Sequence, residues 1–526
     1  MNSTDPTHDL RVLAAIRSAA VLGIDAYDVT VEVDVAPGLP QWLIVGLPAN
    51  AVKESRERVG AALVNAGFSV PPRRVTVNLA PADVRKEGTA FDLPIALGLL
   101  VGTGCLDASS VEQCVFIGEL GLDGSVRPVR GALSIARRVS TDRRDPLRLV
   151  LPAANVGEAS LVHGLRLAAP ATLRELVGWL QSGTLPVPVT RSTGPSHDQA
   201  LDIADVAGQA GAKRALAIAA AGSHGILLVG PPGAGKTMLA RRLPGILPSL
   251  TNAEALEVTA VHSVAGMLDA AAGALTDRPF RAPHHSISTA GLVGGGSSPR
   301  PGEVSLAHHG VLFLDELLEF PRSVLEALRQ PMEDGSVVIA RAHASVRFPA
   351  YFALAAAMNP CPCGHAGDPG HPCVCPVADV VRYRARLSGP LADRIDLHVT
   401  VPAVPLAELS TRERGDDSAA VRSRVEAARR RQRLRYGGSG CNARAPGRWL
   451  ETHGGVEPEA RRLLTGAGER LHLSARAFHR VLRVARTIAD LQDEATVRSA
   501  SVAEALGYRP RGTGASVGVG LSAMAD

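Results

Sequence analysis

The stretch from residue 225 to residue 243, GILLVGPPGAGKTMLARRL, constrains the fold of this chain more than any other segment. An apolar run leads into a glycine-rich turn and then into a helical pattern, which predicts a strand, a loop and a helix of a parallel α/β sheet. Glycines let backbone N–H groups turn towards phosphate oxygens, and the helix N-terminus adds a positive field. A chance Gly-Pro turn is the alternative. The pattern predicts a phosphate-binding loop whose nucleotide contacts are Gly230, Pro231, Pro232, Gly233, Ala234, Gly235, Lys236, Thr237 and Met238.

Lysine is rare in this chain, so a lysine in the loop is not expected to be there by chance. Of the 56 lysines and arginines, only four are lysines. We expect Lys236 to reach the β- and γ-phosphates of ATP and the Thr237 hydroxyl to bind Mg²⁺. The formal net charge is only +5, so the charge balance does not by itself indicate a nucleic-acid partner.

The chain is too long for one hydrophobic core. With 526 residues, 46% of them hydrophobic, it is expected to form several domains. Short β-rich runs mixed with helical stretches predict an α+β domain over residues 1–185, and a segment rich in Pro, Gly, Ser and Thr predicts a linker over 186–200. Strands alternating with helices predict a parallel α/β domain over 201–405. A helical domain over 406–510 and a loose tail over 511–526 follow.

The sequence predicts no contact with a membrane. No charged segment followed by an apolar one opens the chain. The longest apolar run, LPIALGLLVG at 93–102, is shorter than the roughly 18 residues that a membrane-spanning helix needs. We therefore expect a soluble, cytoplasmic protein in which thiols stay reduced.

Two further apolar runs end in polar residues that suit ATP hydrolysis. GVLFLDELLEF predicts a buried strand that ends in Asp315, which would organise Mg²⁺, and Glu316, which would polarise the attacking water. YFALAAAMN ends in Asn359, whose amide can hold the water or the γ-phosphate. Taken alone, the acids suit a helix cap and the asparagine suits a turn. Downstream of a phosphate loop, they predict a hydrolytic site.

Two arginines are candidates for contact with the transferred phosphate. Arg394 lies between two aspartates in LSGPLADRIDLHV. It either forms a surface ion pair or crosses a subunit boundary to a neighbour's ATP. Arg476, Arg480, Arg483 and Arg486 share one face of a predicted helix, and most of this face is expected to be solvated or paired. Arg476, near the helix start, could fold back onto the γ-phosphate.

Four of the seven cysteines fall within fifteen residues, in AMNPCPCGHAGDPGHPCVCP. Four soft ligands suit tetrahedral Zn²⁺, and a reducing compartment keeps thiolates available. The spacing within each pair is tighter than is usual at zinc sites, so metal-free structural cysteines and a redox sensor remain alternatives. Thiolate catalysis is not expected, because nothing in the segment supplies a paired base. The candidate ligands are Cys361, Cys363, Cys373 and Cys375.

Together these motifs resemble the magnesium-chelatase-like AAA+ ATPases, and specifically the YifB/ComM group. The similarity is close in residues 280–320, 357–376 and 382–399, continues in 473–491, and covers about residue 10 to about residue 508. The resemblance implies an α/β fold class with three parts. These are an AAA+ P-loop core with a parallel sheet, a preceding α+β Lon-protease-like (S5-like) domain and a following all-α lid.

The resemblance also implies an assembly and residue roles. It implies a homo-oligomeric ring, expected to be a hexamer, with Asn359 as sensor 1, Arg394 as the trans-acting finger and Arg476 as sensor 2. A ring agrees with simple geometry, because head-to-tail interfaces close into cycles and bring one subunit's arginine to the next subunit's site.

The N-terminal domain departs from an active protease. RKEGTAFDLPIALGLL looks like the Lon segment with the nucleophilic serine, but Ala90 falls at that position. GELGLDGSVRPVRGALSIA resembles the segment with the Lon lysine, where this chain has Leu133. A Ser–Lys dyad needs both a hydroxyl and a base, so we expect a scaffold or partner-binding module.

Two segments are candidates for contact with a substrate in the channel of such a ring. Residues 282–303 are of flexible composition and suit an insertion loop. Residues 333–350 predict a β-hairpin, whose positive tip suits a phosphate backbone, although an ordinary hairpin beside the sheet is equally compatible. The arginine-rich helix at 421–436 is by default solvated, with DNA contact as the alternative. The candidate nucleic-acid contacts are Arg341, His343 and Arg347.

The sequence supports ATP hydrolysis more directly than the work that hydrolysis drives. The first hypothesis, implied by the resemblance, is a ring motor on single-stranded or branched DNA, a helicase or branch-migration enzyme of recombination or natural transformation. The second is a chelatase-type or chaperone-like motor that remodels a protein partner. An inert ATP-binding scaffold is disfavoured because each hydrolytic position has a competent side chain.

Overall fold

The computed structural model describes residues 13–141, 147–188, 201–268, 273–296, 299–341, 344–368, 370–405, 415–438 and 440–510. The predicted tail and most of the predicted linker, residues 189–200, lie outside them. The bounds of the predicted domains stay predictions.

Strands and helices are mixed in the described residues before 189. The strands form a four-stranded sheet in the order β1-β2-β4-β3, a three-stranded sheet in the order β5-β8-β9 and a β6-β7 pair. In chain order, the elements are β1 (Leu13–Leu22), β2 (Asp25–Ala36), β3 (Gln41–Val45), α1 (Asn50–Lys53), α2 (Ser55–Asn65), β4 (Arg74–Ala80), α3 (Asp92–Gly102), β5 (Cys114–Phe116), β6 (Glu119–Leu120), β7 (Val126–Arg127), α4 (Ala132–Ser140), β8 (Arg148–Val150), α5 (Val156–Ala159), β9 (Arg166–Ala168) and α6 (Leu173–Ser182).

The longest apolar run of the chain forms the central helix of this region. All residues of α3 except the last are buried, and the helix packs against β1 and β2. A Cβ atom on Gly98 would lie 2.5 Å from Cγ2 of Val33, so a glycine is needed for this close approach of helix and strand. β1 and β2 pair antiparallel, with Leu13 opposite Asp34. The run is therefore a core helix.

A five-stranded sheet forms the centre of the next region, in the order β11-β14-β17-β10-β18. Its four strand pairings are all parallel. The elements are α7 (Ala210–Gly222), β10 (Ile226–Val229), α8 (Lys236–Ala240), α9 (Leu243–Ile246), α10 (Asn252–Ala265), β11 (Phe280–Arg281), α11 (Thr289–Val293), β12 (Gly294–Gly295), β13 (Arg300–Pro301), α12 (Glu303–Leu306), β14 (Val311–Leu314), α13 (Arg322–Ala327), α14 (Arg329–Asp334), β15 (Ser336–Arg341), β16 (Ala344–Pro349), β17 (Ala353–Met358), α15 (Val377–Arg384), α16 (Gly389–Ala392) and β18 (Leu397–Thr400).

The sequence explains why these strands are central. Every residue of β14 and of β17 is buried, as expected for the continuous apolar runs of a parallel sheet covered on both faces. Leu314 pairs with Ala356 and Val229 pairs with Met358, so β10, β14 and β17 end at one edge of the sheet. The parallel α/β sheet predicted from the sequence is confirmed. We call this edge, where the strands end, the carboxyl edge.

The elements described after residue 415 are helices. They are α17 (Ser418–Tyr436), α18 (Gly447–His453), α19 (Pro458–Arg470), α20 (Ala475–Leu491) and α21 (Ser499–Gly507). α17 and α20 begin with the side chains of Asp417 and Ser474, which accept hydrogen bonds from backbone N–H groups of the first turn. Their apolar residues share one core with α7 and with β10 and β18.

Within the described part of the chain, no helix is both long enough and apolar enough to cross a bilayer.

Candidate active site

The carboxyl edge of the sheet brings the predicted hydrolytic residues together. The phosphate loop follows β10, Asp315 and Glu316 follow β14, and Asn359 follows β17, which lies between the other two strands. Polar side chains that come directly after neighbouring parallel strands must meet at one edge. Ligands of open α/β sheets bind at this edge.

The loop between β10 and α8 depends on its glycines. Gly233 and Gly235 have φ values of 75° and 85°, in the left-handed region that favours glycine. A Cβ atom on Gly230 would lie 2.0 Å from the carbonyl oxygen of Val401. The loop therefore tolerates no side chain at Gly230, where it passes the residue that follows β18.

Lys236 lies at the centre of this loop. Its Nζ donates hydrogen bonds to the carbonyl oxygens of Gly230 and Pro231 at 2.8 Å and to Oδ1 of Asn359 at 3.0 Å. Burial lowers the pKa of this ammonium group, and the carboxylates of Asp315 and Glu316 partly offset that effect. Among the described residues, the Lys236 ammonium group is thus hydrogen-bonded only to neutral oxygen atoms. An anionic phosphate oxygen could therefore bind to it as well.

The two predicted Mg²⁺ ligands contact each other. Oγ1 of Thr237 donates a hydrogen bond to Oδ2 of Asp315 at 2.7 Å. Oxygen ligands from a loop threonine and a strand-end aspartate suit the octahedral coordination of Mg²⁺, which keeps water and phosphate oxygens as its other ligands. The donor set therefore fits this ion.

Glu316 adopts an uncommon backbone conformation. Its φ is 50°, in the left-handed region that non-glycine residues seldom enter, and such conformations concentrate at functional sites. Its N–H donates to Oδ1 of Asp315 at 3.0 Å, and its Oε2 lies 3.6 Å from Nδ1 of His285. The sharp turn after β14 leaves the Glu316 side chain largely solvent-exposed, in the wall of the cavity described next.

A cavity of about 750 Å³ opens over these residues. Lys236, Thr237, Asp315, Glu316 and Asn359 all line it. The volume lies within the usual range of small-molecule sites. One wall of the cavity includes the predicted zinc ligand Cys375, and its other residues, Pro362, Asp379, Arg382, Tyr383 and Arg386, were not singled out from the sequence.

The two arginines of this wall belong to α15 and the turn after it. Arg382 pairs with Asp379 at 2.6 Å, and Arg386 donates to the carbonyl oxygen of Leu318 at 3.1 Å. The signal that could have revealed them is their position, because RYRAR begins at residue 382, shortly after the cysteine segment, which itself follows Asn359. Both guanidinium groups lie beside the predicted phosphate site, and each is paired with a carboxylate of the same lining, Asp379 or Glu319.

The four clustered cysteines lie next to the phosphate loop. Their sulfur atoms all lie within 4.8 Å of one another, and the Sγ atoms of Cys361 and Cys363 are 3.4 Å apart. The backbone N–H of Ala366 donates to the Cys361 sulfur at 3.2 Å. Four sulfurs at these separations fit the tetrahedral set that Zn²⁺ prefers. A Cβ atom on Gly364 would lie 2.5 Å from Pro232, so the cysteine segment packs directly against the loop.

Arg394 and Arg476 do not line the cavity, although both are described residues. Both instead contact Glu333 at the end of α14. Arg394 is 8% exposed and donates to Oε1 of Glu333, and Nη1 of Arg476 lies 3.8 Å from the same oxygen. Nε of Arg394 is buried without a hydrogen-bond partner. The structure thus brings these two arginines together at Glu333, outside the lining of the cavity over the phosphate loop of the same chain.

The other arginines of α20 are paired or buried. Arg480 donates to the carbonyl oxygen of Arg394 and to Oδ1 of Asp396, both at 2.7 Å. Arg486 is 1% exposed and pairs with Asp490 at 3.0 Å. The sequence predicts that most of these arginines are solvated or paired, and Arg480 and Arg486 are paired with aspartates. Arg480 therefore ties α20 to the backbone of Arg394.

The predicted hairpin is confirmed as β15 and β16, with Ser336 opposite Pro349. The side chain of Arg347 is exposed. His343 lies outside the described residues, as does the side chain of Arg341.

The predicted insertion loop is only partly a loop. Its described residues include α11, the β12-β13 pair and the start of α12. Leu292 is fully buried in one core with Ile339 and Phe348 of the hairpin. The two candidate substrate segments therefore pack together.

Three family models match successive parts of the chain. "Subunit ChlI of Mg-chelatase" matches residues 31–155, "Magnesium chelatase, subunit ChlI" matches residues 202–409, and "Magnesium chelatase, subunit ChlI C-terminal" matches residues 415–509.

The relatives with the longest matches cover nearly the whole chain. "Competence protein ComM" of Haemophilus influenzae is 46% identical over 504 residues, which are 94% of this chain and 97% of that protein. YifB of Escherichia coli is 42% identical over 498 residues, 94% of this chain and 97% of that protein. "Magnesium-chelatase 67 kDa subunit" of Heliobacterium mobile is 28% identical over 231 residues, only 38% of this chain and 31% of that protein. This chain therefore belongs to the YifB/ComM group of the magnesium-chelatase-like AAA+ family.

Proposed function

We propose that this chain is an ATP-hydrolysing subunit of a hexameric ring that moves on DNA, as a helicase or branch-migration motor. The observation that carries the ATPase part is the contact set at the carboxyl edge. Lys236 bonds Asn359, Thr237 bonds Asp315, and Glu316 stands beside them over one cavity. Membership of an AAA+ family supports the same conclusion.

Each residue has a distinct task in the proposed reaction. Lys236 and the loop N–H groups bind the β- and γ-phosphates, and Thr237 and Asp315 hold Mg²⁺, which neutralises charge on the phosphates. Glu316 accepts a proton from the attacking water, and Asn359 orients that water or the γ-phosphate. Phosphoryl transfer requires mainly positioning and electrostatic stabilisation, which this arrangement can supply.

In this proposal Arg394 acts at a neighbour's site, as predicted, and Arg476, which was predicted to fold back onto the γ-phosphate, reaches the neighbour's phosphate instead of one in its own chain. Arg394 and Arg476 share Glu333 and are absent from the cavity of their own chain, so the same surface would present both to the next subunit. Glu333 would hold Arg394 until a phosphate of the neighbouring nucleotide replaces it. Hydrolysis would then depend on ring formation.

The substrate part of the proposal rests on the ComM relationship and on the hairpin. The relative's printed name connects that protein with competence. The exposed Arg347 on β16 is a cation suited to a phosphate backbone. The N-terminal region would act as a scaffold, because Ala90 and Leu133 stand where the Lon dyad is expected.

Single-stranded or branched DNA is expected to raise ATP turnover. Replacing Arg347 by Ala should weaken DNA binding and flatten the plot of log affinity against log salt concentration by about 0.7, the contribution of one phosphate contact on a single strand. The measurement is fluorescence anisotropy with labelled oligonucleotides at several salt concentrations. Arg462→Ala removes an exposed arginine of α19 and is the matched control. The DNA part of the proposal would be ruled out if no DNA tested raised ATP turnover and none bound to the protein.

A chelatase-type motor that remodels a protein partner is the second candidate. All three family models carry the chelatase description, which favours it. The match to the named chelatase subunit, however, covers only 38% of this chain. A motor of this type would hydrolyse ATP without responding to DNA, so the same assay separates the two functions.

The cysteine cluster is proposed to hold one structural Zn²⁺. Protein purified under reducing conditions is then expected to contain about one zinc ion per chain, and Cys361→Ser combined with Cys373→Ser should lower this to near zero. Because Gly364 contacts Pro232, loss of the metal should also weaken ATP binding. Metal analysis and nucleotide titration test both effects, and Cys105→Ser, at an exposed cysteine outside the cluster, is the control. Wild-type protein without zinc would contradict the assignment.

A further inference from the structure

A second cavity, of about 540 Å³, lies at the opposite edge of the five-stranded sheet. Ser223, His309 and Tyr351 line it, and they precede β10, β14 and β17, whereas the phosphate loop follows β10. The facing wall comes from the end of α17, the segment after it, and α18. We call it the rear cavity. It is separated from the candidate ATP site by the length of the strands.

Most charges around the rear cavity are compensated. Arg278 pairs with Glu254 at 2.9 Å and donates to the carbonyl oxygen of His309 at 2.6 Å. Arg435 pairs with Asp490 at 2.6 Å. These two guanidinium groups are therefore occupied by partners within the chain.

The carboxylate of Glu257 also lines the cavity and is hydrogen-bonded to two histidines. His309 contacts its Oε2 at 2.7 Å and His308 at 3.2 Å. The backbone N–H of Tyr351 donates to Nδ1 of His308 at 3.0 Å, so the proton of that ring lies on Nε2 and points at Glu257. Burial lowers the pKa of His308 to about 4, which keeps the ring neutral. With that proton in place, His308 is not free to bind a metal ion.

Two arginines of the cavity lining remain without a carboxylate. Arg429 makes no hydrogen bond or ion pair with any described residue, and its Nε is buried. The guanidinium group of Arg444 lies 3.8 Å from the centre of the Tyr351 ring and has no carboxylate partner among the described residues. Arg444 keeps contact with solvent, but partial desolvation lowers the pKa of its guanidinium group and the charge of Arg429 lowers it further. Two positive groups thus face one cavity and repel each other, and a bound anion would relieve this repulsion.

Aromatic rings complete the cavity wall. Tyr436 and Trp449 lie with ring centres 5.2 Å apart, and both line the cavity. Paired arginines bind phosphate, and aromatic faces stack on nucleobases. The volume lies within the range of small-molecule pockets.

We propose that the rear cavity binds a nucleotide, with Arg429 and Arg444 on its phosphate and with Tyr436 and Trp449 beside its base. The nucleotide is either free or a unit of a nucleic-acid strand. The site does not require ATP hydrolysis. Only the second possibility, a nucleotide within a nucleic-acid strand, rests on the proposed DNA function.

The test uses full-length Lys236→Ala protein, in which binding at the phosphate loop is weakened. Calorimetric titration with pyrophosphate, ADP and a 5′-phosphorylated oligothymidylate should reveal a remaining site. Arg429→Gln and Arg444→Gln are each expected to weaken it at least about tenfold, because each removes a charged contact with phosphate. Arg430→Gln, at the exposed neighbour on α17, should leave it unchanged.

Two further comparisons make the result decisive. Arg444→Lys keeps the charge and is expected to retain part of the affinity, which separates phosphate binding from a folding defect. Binding of ADP alone identifies a free nucleotide, and binding of the oligonucleotide alone identifies a strand. The proposal is overturned if none of the probes binds, or if the Arg429→Gln, Arg444→Gln double variant binds them as the Lys236→Ala parent does. ATP turnover, measured separately in the chain with Lys236, reports on the proposed ATPase independently.

Discussion

Replacing Glu316 by Gln is expected to lower ATP turnover by about 10²- to 10⁴-fold, the usual contribution of a general base. The amide keeps the size and the hydrogen-bonding reach of the side chain but cannot accept a proton. Lys236, Thr237 and Asp315 are untouched, so ATP binding and assembly should persist. Phosphate release measures the turnover, and titration with a nucleotide analogue measures the binding.

The matched control is Glu319→Gln. Glu319 also lines the cavity but lies on the turn after Glu316 and faces Arg386, 3.5 Å away. Its loss should change turnover far less than the loss of Glu316. A Glu316→Gln protein that hydrolyses ATP at the parental rate would show that another group activates the water.

That the candidate hydrolytic residues meet at one place could be foreseen, because each one follows a short apolar run. The runs before Gly230, Asp315 and Asn359 form β10, β14 and β17, and parallel strands bring their ends to one edge. Helices with strong end signals could also be foreseen, such as α17, which runs from Ser418 to Tyr436. Local sequence pattern and the geometry of parallel sheets explain why this meeting point and these helices could be predicted.

Contacts between distant segments could not be foreseen. Glu333 meets Arg394 and Arg476, which follow it by 61 and 143 positions, and no local pattern joins the three residues. The rear cavity depends on how α17 and α18 pack against the sheet, so Arg429 looked like part of a solvated helix face. Residues 282–303 looked flexible because they are rich in Gly and Ser, yet Leu292 is buried against the hairpin. These features depend on tertiary packing, which cannot be predicted from local composition.

Replacing Arg394 by Ala is expected to lower ATP turnover by about 10³- to 10⁵-fold, the range found for arginines that stabilise a transferring phosphoryl group. ATP binding should remain, because Arg394 does not line the cavity of its own chain. Glu333, which loses its partner, is 47% exposed and can be solvated, so the fold should survive. Thermal unfolding checks this, and Arg394→Lys shows whether charge alone is sufficient.

Mixing two inactive variants tests whether the arginine acts across the subunit boundary. Arg394→Ala chains keep an intact phosphate loop, and Lys236→Ala chains keep an intact arginine. In random one-to-one rings about a quarter of the interfaces combine both intact parts, so turnover should recover to about a quarter of the wild-type value if the interfaces work independently. Co-purification of differently tagged chains confirms that subunits have mixed. With independently working interfaces, a mixed ring that stays as inactive as either parent would mean that Arg394 serves the nucleotide of its own chain, and the surface shared with Arg476 and Glu333 would then need another role.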